Sequence, residues 1–227
     1  MRHSVPSGAV VSCHVERPLD GEAWRRFDAL QRARPGGFAV IALMRPPDPA
    51  YGEDEGRWLE RARAAASRAP FGLHTHWTSP THARPSGGDP AERVRREAEW
   101  LRARGLEPAF FCGGGWYSDE AVRAAVAELG LVDCTPRGGA PAPGVLPTTH
   151  SLGQLARAVL GPLPAYVHAY FHDYDLLDAR RRAALVAALR LLGLRRAEHL
   201  HVGEQAGMER HEPADGEADL DVGEVRE

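Results

Sequence analysis

Short apolar runs alternate with stretches of helical periodicity along almost the whole chain, and no other feature restricts its fold as strongly. GAVVSCHV reads as a strand, and GEAWRRFDALQRAR after it as a helix with Trp24, Phe27 and Leu30 about one turn apart. GFAVIALM is a continuous apolar run, the pattern of a parallel strand buried on both faces. A helix near residues 55–69 and the strand FGLHTHW come next. The following helix runs from Asp89 to Gly105, with Asp89 at the N-cap and Pro90 at the first helical position. PAFFCGG, the helix SDEAVRAAVAELG opened by Ser118, and the short strand LVDCT precede a Gly/Pro-rich loop from Arg137 to Leu146. A short helix after Ser151, the strand YVHAYFHD, the helix DARRRAALVAALRLLGL and the strand RAEHLHV finish the series. About seven strands alternating with helices predict an α/β protein with a mainly parallel sheet, curled into a distorted or incomplete (β/α) barrel. The barrel is expected to span residues 1–203.

Residues 204–227 form an acidic tail with nine carboxylates against two arginines and no aromatic residue, a composition expected not to fold. The formal net charge of -3 therefore leaves the barrel mildly basic. No basic stripe with interleaved aromatics accompanies that charge, so nucleic acid is not an expected partner. The chain has no lysine, which excludes lysine Schiff bases and a P-loop lysine. Its three cysteines are an odd number at wide spacing, so no disulfide framework is predicted. No apolar run approaches the roughly 20 residues that span a bilayer, and MRHSVPSGAVV lacks a charged-then-apolar leader. These features predict a cytoplasmic protein without membrane insertion.

Histidine is not scattered. Seven of the eleven histidines fall in four strand-like segments, as members of pairs at short spacing. The pairs are His14 with Glu16, His74 with His76, His168 with His172, and His199 with His201. Residues i and i+2 of a strand share a face, so such spacing aims polar groups at one side of a sheet. Barrel enzymes carry their catalytic groups at the C-terminal strand ends, and one polar site there is the economical reading.

GLHTHW is the sharpest of these signals, because two neutral imidazoles at a strand end can ligate one divalent ion such as Zn²⁺. Alternatively, His74 points into the barrel and His76 serves the loop; His82 in TSPTHARP is a further candidate. Glu16 near a strand end calls for a partner, since a buried carboxylate is costly without one. His14 is a candidate base. His172 is a candidate general acid with Asp173 and Asp175 beside it, against the plainer account of an Asp capping the next helix. CGGGWY permits close backbone approach and exposed N–H groups, and Trp116 or Tyr117 can wall a sugar site. Cys112 reads as a small buried residue, and His199 and His201 as barrel-lining support.

In this order the segments resemble the polysaccharide deacetylase family, over roughly residues 9–203. The resemblance implies a distorted (β/α) barrel that removes acetyl groups from carbohydrates with a metal-bound water. It places His14 and Glu16 where the family has an Asp base and an Asp ligand. His74 and Thr75 match the first half of its His-Ser/Thr-x-x-His motif, whose second histidine falls on Thr78. Cys112 stands at the place of an Arg that orients the base, and YFHD matches the late motif through His172. The chain therefore resembles a divergent branch.

The implied function is a metal-dependent deacetylase acting on an acetylated carbohydrate or glycoconjugate. Glu16, His74 and His76 hold the metal, and His14 and His172 are catalytic. The rival readings are another metal-dependent barrel amidohydrolase and a non-catalytic sugar-binding barrel.

Overall fold

The computed structural model describes residues 8–195. Seven strands, all paired in parallel, curl into a half-barrel with helices packed outside it. The strands are β1 (Gly8–Val15), β2 (Val40–Met44), β3 (Phe71–Thr75), β4 (Phe110–Gly113), β5 (Val132–Asp133), β6 (His150–Ser151) and β7 (Tyr166–His172). Their spatial order is β5-β4-β3-β2-β1-β7-β6, so β1 lies near the middle, flanked by β2 and β7. The helices are α1 (Gly21–Ala33), α2 (Glu55–Ala66), α3 (Pro90–Arg102), α4 (Glu120–Glu128), α5 (Leu152–Ala158) and α6 (Ala179–Arg195).

Aspartates start the helices that follow strands β1 to β4. Asp20, Asp54, Asp89 and Asp119 each accept hydrogen bonds from first-turn backbone N–H groups, which otherwise lack partners. At α4 the cap is Asp119, one residue beyond the predicted Ser118: its carboxylate reaches the Val122 N–H at 2.8 Å.

Strand alternation divides the buried side chains into two sets. Ala9, Val11, Cys13 and Val15 of β1 pack outward with Phe27 of α1, Trp58 of α2 and Leu185 of α6 in the main core. Each fully buried Leu or Phe there contributes about 1.5–3 kcal/mol. A smaller apolar cluster fills the curl of the sheet and includes Val10, Ile41, Leu43, Phe110, Leu146 and Tyr166. Further along β1 that inner row turns polar, through Ser12 and His14.

The strand predicted at RAEHLHV lies outside the described residues, as do His199, His201 and the tail 204–227. The seventh described strand is instead the two-residue β6, which follows the segment 137–146 read as a loop. That irregular segment is tied to its neighbours by backbone hydrogen bonds. The Asp133 N–H donates to the Gly144 carbonyl at 2.8 Å and the Asp133 carbonyl accepts the Leu146 N–H at 3.0 Å, while Thr148 joins Pro136 and Gly138 at 2.8 Å each. One residue later, Thr149 bonds the His168 carbonyl at 3.0 Å. Residues 144–149 thus bridge the gap between β5 and β7.

Candidate metal centre

β1, β3 and β7 each deliver their polar residues to the same end of the sheet. His14 sits one residue before the end of β1, and Glu16 follows the strand directly. His74 and His76 stand in the same relation to the end of β3, and His172 is the last residue of β7. Parallel register sets His14 beside His172 across the β1–β7 pair. On β3 the residue between the two histidines, Thr75, points the other way. Its hydroxyl donates to Glu97 of α3 at 2.8 Å, and Arg93 holds the second oxygen of that carboxylate at 2.8 Å. Burial pushes the Glu97 carboxyl pKa up. This α3 network braces the strand from behind while its imidazoles face inward.

The five side chains converge. Glu16 Oε1 lies 3.7 Å from each of three Nε2 atoms, those of His74, His76 and His172. His74 Nε2 and His76 Nε2 are 3.2 Å apart. Behind them, His74 Nδ1 pairs with the Cys112 carbonyl at 2.8 Å and His76 Nδ1 with the Pro80 carbonyl at 2.9 Å. A carbonyl only accepts, so both rings carry their proton on Nδ1 and present a bare Nε2 lone pair. This is the outer-shell arrangement that orients metal-binding histidines. His14 completes the group, its ring centroid 4.5 Å from that of His74 and 5.1 Å from that of His172. Among the described residues its buried Nε2 has no hydrogen-bond partner.

Two sets of three ligand atoms suited to a cation share Glu16: Glu16 with His74 and His76, and Glu16 with His14 and His172. A third set, His14, His74 and Cys112, is fully buried. Burial raises the Cys112 thiol pKa well above its ordinary value, with nearby Cys134 and Asp133 adding to the shift. It therefore stays a neutral thiol, unsuited to act as a nucleophile. For Glu16, burial works to raise the pKa. The imidazoles of His74, His76 and His172 around it outweigh that and hold the carboxyl far below the usual carboxylate range. Burial, followed by repulsion from His74 and His172, holds the His14 pKa well below that of free imidazole. His14 is accordingly a neutral base at neutral pH.

His172 has support of its own. Its Nδ1 faces Asp175 Oδ2 at 3.7 Å, the same oxygen accepts the His172 backbone N–H at 2.9 Å, and Arg181 holds the other oxygen at 2.9 Å. Asp173 plays a different part. It is fully buried, accepts the N–H of Arg17 at 2.8 Å, and burial lifts its pKa to about 6.

Aromatic rings wall one side. Trp116, Tyr170 and Tyr174 stand next to the histidines: Trp116 is 5.4 Å from His14, and Tyr174 stacks on His172 at 4.8 Å. Trp116 holds a left-handed backbone (φ 60°), a conformation that costs a non-glycine residue energy and concentrates at functional sites. On the other side a cleft of about 370 Å³ reaches the cluster at His76 and is bordered by Arg45, Pro47, Ser79, Arg96 and Trp100.

Several residues that the sequence raised lie elsewhere. His82 is exposed and closes a tight turn through its backbone with Ser79, and Thr78 bonds the Arg84 carbonyl at 2.6 Å. His168 sits mid-strand, deep inside the curl. Its Nε2 meets Ser12 Oγ at 2.9 Å and its Nδ1 the Leu146 carbonyl at 3.1 Å, which makes it a satisfied core histidine. The glycine run serves close packing: a Cβ on Gly114 would sit 2.6 Å from the Thr75 carbonyl oxygen and 2.8 Å from His76 Cδ2. The Gly113 N–H is already committed to Thr135 Oγ1 at 2.8 Å. Tyr117 packs on Trp77 rather than on the histidines. Sequence reading missed Tyr174; its spacing of two from His172 was the available signal.

No protein-family model matches the sequence, and no curated protein matches it. A solved structure similar to it is that of the family 4 carbohydrate esterase from Streptomyces lividans in complex with acetate, a member of the polysaccharide deacetylase family. The two share 11% sequence identity over 84% of this chain and 87% of that chain, with a TM-score of 0.47. Among the described residues, no helix is long and apolar enough to cross a membrane.

Proposed function

We propose that this chain is a metal-dependent hydrolase that removes acetyl groups from a carbohydrate or glycoconjugate. The observation that carries the reading is the position of Glu16 Oε1, 3.7 Å from the bare Nε2 atoms of His74 and His76. A carboxylate and two imidazoles with their protons tied away form a donor set for Zn²⁺ or a similar ion. The three ligand atoms all lie within 4.8 Å of one another. Bound there, a divalent ion supplies Lewis acidity, which polarises an acyl carbonyl and brings the pKa of a water towards ~7.

The remaining steps belong to the side chains. Glu16, His74 and His76 hold the ion. His14, neutral through burial, accepts the proton of the attacking water. His172, oriented by Asp175, donates a proton to the departing amine or alcohol. Trp116, Tyr170 and Tyr174 offer ring faces on which a sugar packs. The acetylated carbohydrate is inferred from the motif order, from SCHVE through GLHTHW to YFHD, together with these rings.

The test is acetate release from acetylated mono- and oligosaccharides, with the metal content of the same preparation measured in parallel. The parent releases acetate, chelation stops the release, and His74→Ala lowers it by on the order of 100-fold or more. Cys112, a thiol where the resemblance has an arginine, favours a second reading, a sugar-binding barrel without catalysis. That reading predicts sugar binding with neither stoichiometric metal nor acetate. Bound metal with no acetate from any glycan would point to another amidohydrolase.

A further inference from the structure

We propose that the same pocket contains a second, weaker cation site formed by His14, Glu16 and His172, and that filling it inhibits the enzyme. The inference rests on the reading above and adds a regulatory ion to it. One ligand atom from each of the three residues lies within 4.8 Å of the other two, as in the Glu16, His74 and His76 set. Glu16 belongs to both sets, with the same Oε1 3.7 Å from His172 Nε2 and from the two β3 histidines.

An independent observation points to a ligand beside His14. His14 is 3% exposed, and its Nε2 has no hydrogen-bond partner among the described residues. A buried ring nitrogen left unpaired costs about 1–3 kcal/mol, and a cation satisfies it. His172 is prepared in the usual manner of a ligating histidine. Asp175 stands behind its Nδ1 at 3.7 Å and is fixed by Arg181, which leaves Nε2 turned towards Glu16.

Two imidazoles and a carboxylate select borderline ions such as Zn²⁺, Co²⁺, Ni²⁺ and Cu²⁺ over Mg²⁺. The second ion binds more weakly because two dications would share one carboxylate and repel each other across it. Its effect follows from which atoms it takes. An imidazole whose lone pair is engaged neither accepts a proton from water nor delivers one to a leaving group, so the base and the acid are silenced together.

The experiment titrates the metal-free, untagged full chain with Zn²⁺ by equilibrium dialysis and elemental analysis, with acetate release followed alongside. The parent takes up two equivalents, the second on the order of tenfold more weakly. Activity rises with the first equivalent and falls about tenfold with the second. His172→Gln takes up only one equivalent, with the first affinity within about threefold of the parent; His14→Gln repeats the measurement should the first variant fail to fold. A parent that stops at one equivalent, or a folded His172→Gln protein that still takes up two, overturns the second site while leaving the proposed function standing. A chain that binds no Zn²⁺ overturns both.

Discussion

His74 and His76 turn bare Nε2 atoms towards each other at 3.2 Å, because the opposite nitrogen of each ring is committed to a backbone carbonyl. Two facing lone pairs repel unless a positive charge lies between or beside them. The carbonyls of Cys112 and Pro80 therefore act as part of the site: they fix the tautomer that a cation needs.

Stoichiometric metal should accordingly depend on Glu16. Glu16→Gln keeps the size of the side chain and removes its charge, and metal affinity falls by on the order of 100-fold or more. Elemental analysis after dialysis reads this directly, and retention of a full equivalent by Glu16→Gln would remove Glu16 from the ligand set.

Gly114→Ala should damage the same site through packing. The added methyl meets the Thr75 carbonyl at 2.6 Å and the His76 ring at 2.8 Å, so β4 must retreat or His76 must move. Overpacking of this kind costs about 1–3 kcal/mol. Thermal unfolding should show a lowered Tm together with weaker metal binding. Gly153→Ala in α5 is the control, since a methyl there meets nothing within 4 Å and the change is neutral or slightly stabilising.

Acid should destabilise the fold through His168. Burial lowers its folded-state pKa to about 4 from an ordinary 6.5. The unfolded chain therefore binds the proton more readily between those values, and stability present above pH 6.5 is lost as the pH falls towards 4. The loss attributable to this residue is about 2–3 kcal/mol by pH 4.5. Urea unfolding at pH 7 and 4.5 should show it in the parent. His168→Gln should be less stable at pH 7 and flatter with pH; an unchanged slope would sink the assignment.

Trp116→Gly separates the aromatic wall from the chemistry. Glycine accepts a φ of 60° without strain, so the turn survives the loss of the indole. If the ring serves sugar binding, KM rises about tenfold while kcat stays within about threefold. A fall in kcat with KM unchanged would move Trp116 out of the binding wall.

The architecture was legible because it rests on periodicity. Continuous apolar strands and amphipathic helices announce a parallel α/β sheet, and Asp89 with Pro90 marks the start of α3 as a cap and first residue should. The candidate site was legible for a related reason: spacing of two on a strand places His14 with Glu16, and His74 with His76, on one face. Depth along the strand left no such signature. His168 and His172 share a face, yet only the latter reaches the rim, and the difference is set by pairing register with Ser12 and His14. His76 and His82 were equivalent by type; only the turn that bonds His82 to Ser79 through its backbone separates them. The role of the glycine run was hidden because it depends on how closely β4 approaches a ring from β3.

The stretch from Gly144 to Thr149 has a consequence for solubility. A curled sheet that stops short of closure leaves two unpaired borders, and such borders can template the addition of another chain. Here the main chain of that stretch covers the β5 border at Asp133 and runs on, past the His168 carbonyl of β7, into the other edge strand, β6. The protein carries its own selvedge, and loosening it should show first as self-association rather than as lost secondary structure.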